Sequence, residues 1–279
     1  TNAIIENKIK KVVVATLDPN PLVAGKGIKL LEEHGVEVIT GVLEDKAKKL
    51  NEDFFVYIKE KRPFIHLKWA QTIDGKIATF TGSSKWITGE KARKYAHKLR
   101  KEASAVLVGV GTVLKDNPQL TVRHIKTDKQ PVRVLIDKNL KTPIDYKIFD
   151  ETVKTIVFVG KNADKEKIKN LSKKENIEII KLPLDKGKFE LKDILNELYK
   201  RDIIHILVEG GKEIITQFIK ENLFDKISVF IAPKIVGEEG ISSVGKLHIE
   251  DINSSIKLNK KRIKSLEEDV LIEFENNMQ

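Results

Sequence analysis

Lys68 and Asp74 are residues whose types suggest chemistry. Lys68 lies in residues 64–69 (FIHLKW), a run otherwise suited to burial. A cation there either snorkels to the surface or points into a polar cleft at the end of a sheet. Asp74, in Ile73-Asp74-Gly75, reads as an ordinary turn residue or as a carboxylate beside the same cleft. Glu209-Gly210-Gly211 follows the apolar run IIHILV and precedes a helical pattern. Two glycines let backbone approach a ligand, and a helix N-terminus favours phosphate. The spacing is not G-x-G-x-x-G, so an ordinary dinucleotide fingerprint is not indicated. Gly109-Val110-Gly111-Thr112 repeats the strand–loop–helix pattern with a hydroxyl at the helix start; alone it reads as a tight turn with an N-cap.

Other chemistries find no support. The six histidines (His34, His66, His97, His124, His205, His248) are scattered, with no two at i, i+4 spacing. His66 and His205 sit in apolar strand patterns and read as packed residues. The chain has no cysteine, which removes disulfides, thiol catalysis and cysteine-ligated zinc, and fits a cytoplasmic setting. No H-E-x-x-H or G-x-S-x-G occurs, so no metal site and no serine hydrolase is expected. The net charge of +10 raises the question of nucleic acid, but the lysines are dispersed and no aromatic-interleaved basic cluster occurs. A lysine-rich solvated surface that also attracts anionic ligands accounts for the charge. No apolar run reaches the ~18 residues of a membrane span, and Thr1 opens no signal-peptide pattern.

The elements that must position these residues follow from periodicity. Residues 10–17 form an apolar run that predicts a buried strand, and Asp18-Pro19-Asn20-Pro21 a rigid turn. A helix is expected over 25–34 with Gly35 closing it, a strand over 36–40, and one helix over 44–59. This βαβα stretch is too small to bury much core alone. Lys61-Arg62-Pro63 marks a boundary. Strands are expected over 64–69, 105–108, 132–136, 155–159, 177–180, 203–208, 227–231 and 270–274. Helices are expected over 89–101, with Thr88 as N-cap, and over 164–174, 191–199 and 211–221. Alternating strands and helices indicate a mostly parallel α/β sheet with antiparallel strands near the end.

Several ordered blocks carry a resemblance. Residues 62–78 (RPFIHLKWAQTIDGKIA), Ser84-Lys85-Trp86-Ile87-Thr88, residues 109–123 (GVGTVLKDNPQLTVR), residues 130–137 (QPVRVLID) and Glu209-Gly210-Gly211 resemble the bifunctional riboflavin-biosynthesis deaminase/reductase family. From Pro63 onward the chain looks like its reductase domain. Residues 12–27 (VVVATLDPNPLVAGKG) are similar to the family's segment just after its deaminase zinc site. The resemblance implies a dihydrofolate-reductase-like α/β fold with a mixed, mostly parallel sheet flanked by helices, preceded by a partial cytidine-deaminase-like segment. It divides the chain into residues 1–61, a carboxyl-terminal remnant of a deaminase domain without its zinc site, and residues 62–279, the reductase domain.

The resemblance also implies roles. Ser84, Arg100, Leu120, Arg123 and Glu209 match substrate-binding positions; two arginines suit a phosphate, because a guanidinium is a planar fork of donors. Ala70, Trp86, Thr112, Asp116 and the loop Gly211, Lys212, Glu213, Ile214, Ile215, Thr216, Gln217 match NADP-contacting positions. Lys138 replaces a residue that is often a hydroxyl in the family and is left unassigned. The implied reaction is NADPH-dependent reduction of 5-amino-6-(5-phosphoribosylamino)uracil to its ribitylamino form, with Lys68 and Asp74 as candidates for polar assistance. The implied partner is a phosphorylated pyrimidine rather than nucleic acid or membrane, and the implied assembly a homo-oligomer. The alternatives are a reductase of the same fold acting on a pterin or the undeaminated pyrimidine, and a basic nucleic-acid-binding module.

Overall fold

A computed structural model of the chain describes residues 1–23 and 25–277. Ala24, within the 12–27 block, and Met278 and Gln279, at the end of the expected 62–279 domain, lie outside the described residues. The chain divides into two compact units, the first ending at Phe64 and the second beginning at Ile65.

The first unit comprises α1 (Asn2–Glu6), β1 (Lys11–Val14), α2 (Lys26–Glu33), β2 (Glu37–Thr40), α3 (Glu44–Leu50) and α4 (Glu52–Glu60). β1 and β2 pair in parallel, Lys11 with Glu37 through Val14 with Thr40. The apolar run expected to be buried is half in solvent: Val13 is 55% exposed and Leu17 49%. Gly35 ends α2 in a left-handed conformation (φ +75) that suits glycine. The single helix expected over 44–59 is two. Asn51 leaves helical geometry at φ −118, its side-chain amide donates to the Ala47 carbonyl, and its own carbonyl accepts from Phe55 N–H. Asparagine competes for backbone groups in this way and so ends one helix while opening the next.

The second unit is built on β3 (Phe64–Thr72), β4 (Lys76–Ala78), α5 (Glu90–Glu102), β5 (Ala105–Gly109), α6 (Val110–Asp116), β6 (Val132–Ile136), β7 (Thr155–Gly160), α7 (Lys165–Leu171), β8 (Ile177–Leu182), α8 (Leu191–Tyr199), β9 (His205–Val208), α9 (Lys212–Lys220), β10 (Lys226–Ala232), β11 (Ile241–Ser242), β12 (Leu258–Leu266) and β13 (Asp269–Asn276). Nine strands form one sheet in the order β12-β13-β10-β3-β9-β5-β6-β7-β8. β5 pairs in parallel with β6 and β9, β6 with β7, β7 with β8, and β3 with β10. β13 runs antiparallel to both its neighbours. The expected fold class, a mostly parallel sheet flanked by helices, is the one observed.

Period-two alternation sorts side chains to two cores. Leu107 packs on one face with Leu191, Ile194, Leu195 and Leu198 of α8 and Ile214, Ile215 and Phe218 of α9. Val106 and Val108 pack on the other with Ala92, Ala96 and Leu99 of α5. The four buried α8 residues recur at helical spacing, each contributing about 1.5–3 kcal/mol by burial. Thr88 is not the N-cap of α5. Gly89 is, and its N–H is taken by Asp269 Oδ2 at 2.7 Å, a cap supplied from the far end of the chain. β12 was not expected: LNKKRIKSL is mostly exposed, with Leu266 buried at its end. Lysine-rich edge strands resist pairing with other chains and carry little hydrophobic pattern.

Candidate active site

Glu209 is the hub. It follows β9 and is tied to β5 by its N–H, which donates to the Leu107 carbonyl at 3.0 Å. Its carboxylate receives Arg100 from α5 in a two-pronged contact, Nε to Oε1 at 2.5 Å and Nη2 to Oε2 at 3.0 Å. Lys68 from β3 reaches Oε2 at 3.4 Å. All three side chains are nearly enclosed, at 9% (Glu209), 13% (Arg100) and 15% (Lys68) exposure. Burial pushes the Glu209 carboxyl up, but Arg100 and then Lys68 more than offset this and hold it well below the usual carboxylate range. Lys68 therefore does not snorkel. Its ammonium turns inward, 5.5 Å from the centre of the Phe230 ring. The cluster carries two cations on one carboxylate, an excess positive charge at the sheet's end suited to an anionic or electron-rich ligand.

The two glycine turns stand at the carboxyl ends of the adjacent parallel strands β5 and β9, where open α/β sheets place ligands. Thr112 is not an N-cap. Its hydroxyl accepts the Gly211 N–H at 3.0 Å, stitching one turn to the other. Neither α6 nor α9 has a side-chain cap at its N-terminus, which leaves first-turn N–H groups able to meet phosphate. A Cβ at Gly210 would stand 1.6 Å from Ile214 Cγ2, and one at Gly211 3.3 Å from Thr112 Oγ1. Within 211–217, Ile214, Ile215 and Thr216 are buried against the core, Glu213 is exposed, and Gly211 and Lys212 are half-buried. The Thr216 hydroxyl holds the loop ahead, accepting from Gly245 N–H at 2.7 Å, and Gln217 donates to the Phe189 carbonyl at 3.1 Å.

Asp74 does not meet Lys68. About 13 Å of extended strand separates residue 68 from the end of β3 at Thr72, and Asp74 lies beyond it. Its carboxylate accepts Thr72 Oγ1–H at 2.5 Å, Gly237 N–H at 2.8 Å and Val236 N–H at 3.2 Å. The Thr72 hydroxyl and then these amides lower its pKa to about 2. The loop it anchors also reaches Trp86, through Lys234 Nζ to the Trp86 carbonyl at 2.8 Å. The Trp86 ring is 63% exposed, with the Arg93 guanidinium 4.7 Å from its centre. Ser84 is half-buried in the same loop, and Asp116, at the end of α6, has Lys85 Nζ at 4.0 Å. Ala70 faces Phe230 across the β3–β10 pairing.

Leu120 is 3% exposed, in left-handed conformation at φ +56, and precedes Arg123 on a segment without regular structure. Arg100 Nη1 donates to the Thr121 carbonyl at 3.1 Å, so the two candidate arginines share one neighbourhood. Arg123 is exposed, its Nη1 donating to Gln119 Oε1 at 2.6 Å. Among the described residues no carboxylate pairs with it, and burial and then Arg100 lower its pKa. Sequence reasoning missed His97, whose Nδ1 accepts the Arg123 N–H at 3.3 Å; its place three residues before Arg100 on α5 was the available signal. Histidines scattered in sequence meet in space: His97 with His124 at 4.5 Å between ring centres, His66 with His205 at 5.8 Å.

The RibD C-terminal domain family model matches residues 63–272. The chain is 53% identical to the riboflavin biosynthesis protein RibD of Aquifex aeolicus, over 98% of this chain and 75% of that protein. Among solved structures, it is similar to a diaminohydroxyphosphoribosylaminopyrimidine deaminase/5-amino-6-(5-phosphoribosylamino)uracil reductase of Thermotoga maritima, at 39% identity and a TM-score of 0.85, covering 99% of this chain and 74% of that one. RibD of Acinetobacter baumannii matches at 31% identity and a TM-score of 0.87, over 99% of this chain and 76% of that one.

Proposed function

The chain belongs to the RibD family, and on that premise we propose that its reductase takes 5-amino-6-(5-phosphoribosylamino)uracil to the ribitylamino form with NADPH. The observation that carries this reading is the meeting of Lys68, Arg100 and Glu209 with two glycine turns at adjacent strand ends. The turns fit a nicotinamide dinucleotide: uncapped N–H groups of α6 and α9 would hold its phosphates, and Gly210 leaves no space for a side chain. When bound, NADPH supplies the hydride. The chain's own work is to hold the acceptor carbon of the opened sugar in near-attack contact, exclude water and deliver a proton. Arg123 and Arg100 would take the substrate phosphate, Glu209 would orient Arg100 and Lys68, and Lys68 is the candidate for proton assistance. Asp74, committed to the amides of residues 236–237, would serve by fixing the loop whose Lys234 holds the Trp86 carbonyl.

We assign residues 1–61 to the carboxyl-terminal part of a deaminase domain and residues 62–279 to the reductase. These residues contain no cysteine, and zinc-dependent deamination normally needs three protein ligands with a glutamate beside them; we therefore expect them to release no ammonia from the pyrimidine. The purified chain with NADPH should reduce the deaminated pyrimidine and leave the undeaminated one untouched. NADPH should bind more tightly than NADH, since only it offers a 2′-phosphate for a charge-assisted contact of about 1.5–3 kcal/mol. Turnover of the undeaminated pyrimidine in preference, or equal dissociation constants for the two cofactors, would count against the reading.

A further inference from the structure

Residues 120–123 form no strand and no helix, yet their backbone is held at successive residues by side chains from elsewhere. Arg100 donates to the Thr121 carbonyl at 3.1 Å. Gln130 clamps Val122 on both sides, its Oε1 accepting the N–H at 2.7 Å and its Nε2 donating to the carbonyl at 3.0 Å. His97 Nδ1 accepts the Arg123 N–H at 3.3 Å. The strap begins at Leu120, a left-handed non-glycine residue; such a conformation persists only where its surroundings over-determine it. These side chains stand in for the missing ladder and leave one polar group of the strap projecting outward, the Arg123 guanidinium.

We propose that His97 and Gln130 are positioning residues which fix the strap so that Arg123 is presented beside Arg100 to the phosphate of the substrate, and so set the preference for phosphorylated over dephosphorylated pyrimidine. The proposal rests on the reading above that Arg123 meets that phosphate. An arginine on an ordered strap pays its backbone ordering cost at folding rather than at binding, so loss of the clamp appears as weaker substrate binding. His97 is suited to the role because it must accept, not donate, at Nδ1. Burial, then Arg100 and His124, lower its pKa to about 4, which keeps the ring neutral at ordinary pH, with its proton on Nε2. Gln130 is suited because its amide carries an acceptor and a donor on separate atoms, one for each side of Val122.

The test compares KM for the phosphorylated pyrimidine and its dephosphorylated counterpart in wild type, Arg123→Ala, His97→Leu, His97→Asn, Gln130→Leu and Gln130→Glu, with NADPH affinity as the folding control. His97→Leu and Gln130→Leu should each reduce the preference for the phosphorylated form about fivefold to tenfold, as loss of one or two hydrogen bonds allows. His97→Asn, whose side-chain oxygen stands where Nδ1 stood, should restore most of it. Gln130→Glu, near-isosteric but without the donor, should show the defect even where the leucine variants fail to fold. If Arg123→Ala removes the preference and the His97 and Gln130 variants keep it, the positioning role is overturned and the phosphate reading stands. Where wild type has no preference to lose, the phosphate reading fails and the positioning role with it. An equal rise in KM for both pyrimidines, or no recovery in His97→Asn, would reduce both residues to structural props.

Discussion

Lys68 shows how a single side chain acquires a function from its partners. On β3 it could have been a surface cation, but its ammonium lies 3.4 Å from Glu209 and its side chain is 15% exposed. Glu209 is already engaged twice by Arg100, so the carboxylate stays compensated without Lys68. Removing Lys68 therefore does not create the uncompensated buried charge that makes such substitutions destabilising. Lys68→Met should lower kcat and kcat/KM together by about a hundredfold or more, the scale of a lost general acid, with NADPH affinity and folding retained. A kcat close to wild type would leave Lys68 as a structural partner of Glu209 and nothing more.

At the scale of elements, the glycine turns after β5 and β9 work as one unit because the Thr112 hydroxyl on α6 holds the N–H that opens α9. Their glycines are not equivalent. A Cβ at Gly210 would collide with Ile214 in the first turn of α9, whereas one at Gly111 would meet nothing within 4 Å. Gly210→Ala should displace that turn, costing about 1–3 kcal/mol of stability as overpacking does, and weaken NADPH binding at least tenfold. Gly111→Ala, in the first turn of α6, should be neutral or stabilising by less than about 1 kcal/mol. Denaturant unfolding of both variants with an NADPH titration of Gly210→Ala decides the point; equal losses of stability would mean that the Ile214 contact does not govern the turn.

For the whole molecule, buried histidines tie stability to pH. Burial, then His205 and Lys226, push the pKa of His66 well below its ordinary 6.5, and that of His97 is lowered to about 4. Each is neutral in the folded chain and takes up a proton more readily when unfolded, so between pH 6.5 and 4 the unfolded state binds more protons. The stability these groups contribute is complete above pH 6.5 and is lost as the pH falls toward 4. The depressed carboxyls, Glu209 and Asp74, act in the same direction only at lower pH, below their ordinary values of 4.5 and 3.8. Tm should thus fall with acidification while the carboxylates are still charged, and His66→Gln should flatten that fall. An unchanged slope in the variant would move the source of the acid sensitivity elsewhere.

Much of this organisation was legible locally. The 191–199 helix, the apolar strands of the sheet and the glycine turns after residues 108 and 208 show in periodicity and punctuation, because helix and strand repeats are properties of a few consecutive residues. The ordered blocks from 62 to 211 carried the family, and with it the expectation of a mostly parallel sheet. The edge strand β12 was not legible, since a strand lying mostly in solvent, with Leu266 alone fully buried, has little hydrophobic period to display. Nor was the break at Asn51, or the cap that Asp269 supplies to Gly89 across 180 residues. The site's chemistry belongs to the same class. Lys68 and Glu209 are 141 residues apart, Arg100 and Glu209 109, and Thr112 and Gly211 99. The sequence by itself determined the apolar strands and amphipathic helices of the core and which residue types stand at their ends. Only the tertiary structure decided which ends meet, because strand order in a sheet is settled by the packing of both faces at once, and no local pattern encodes it.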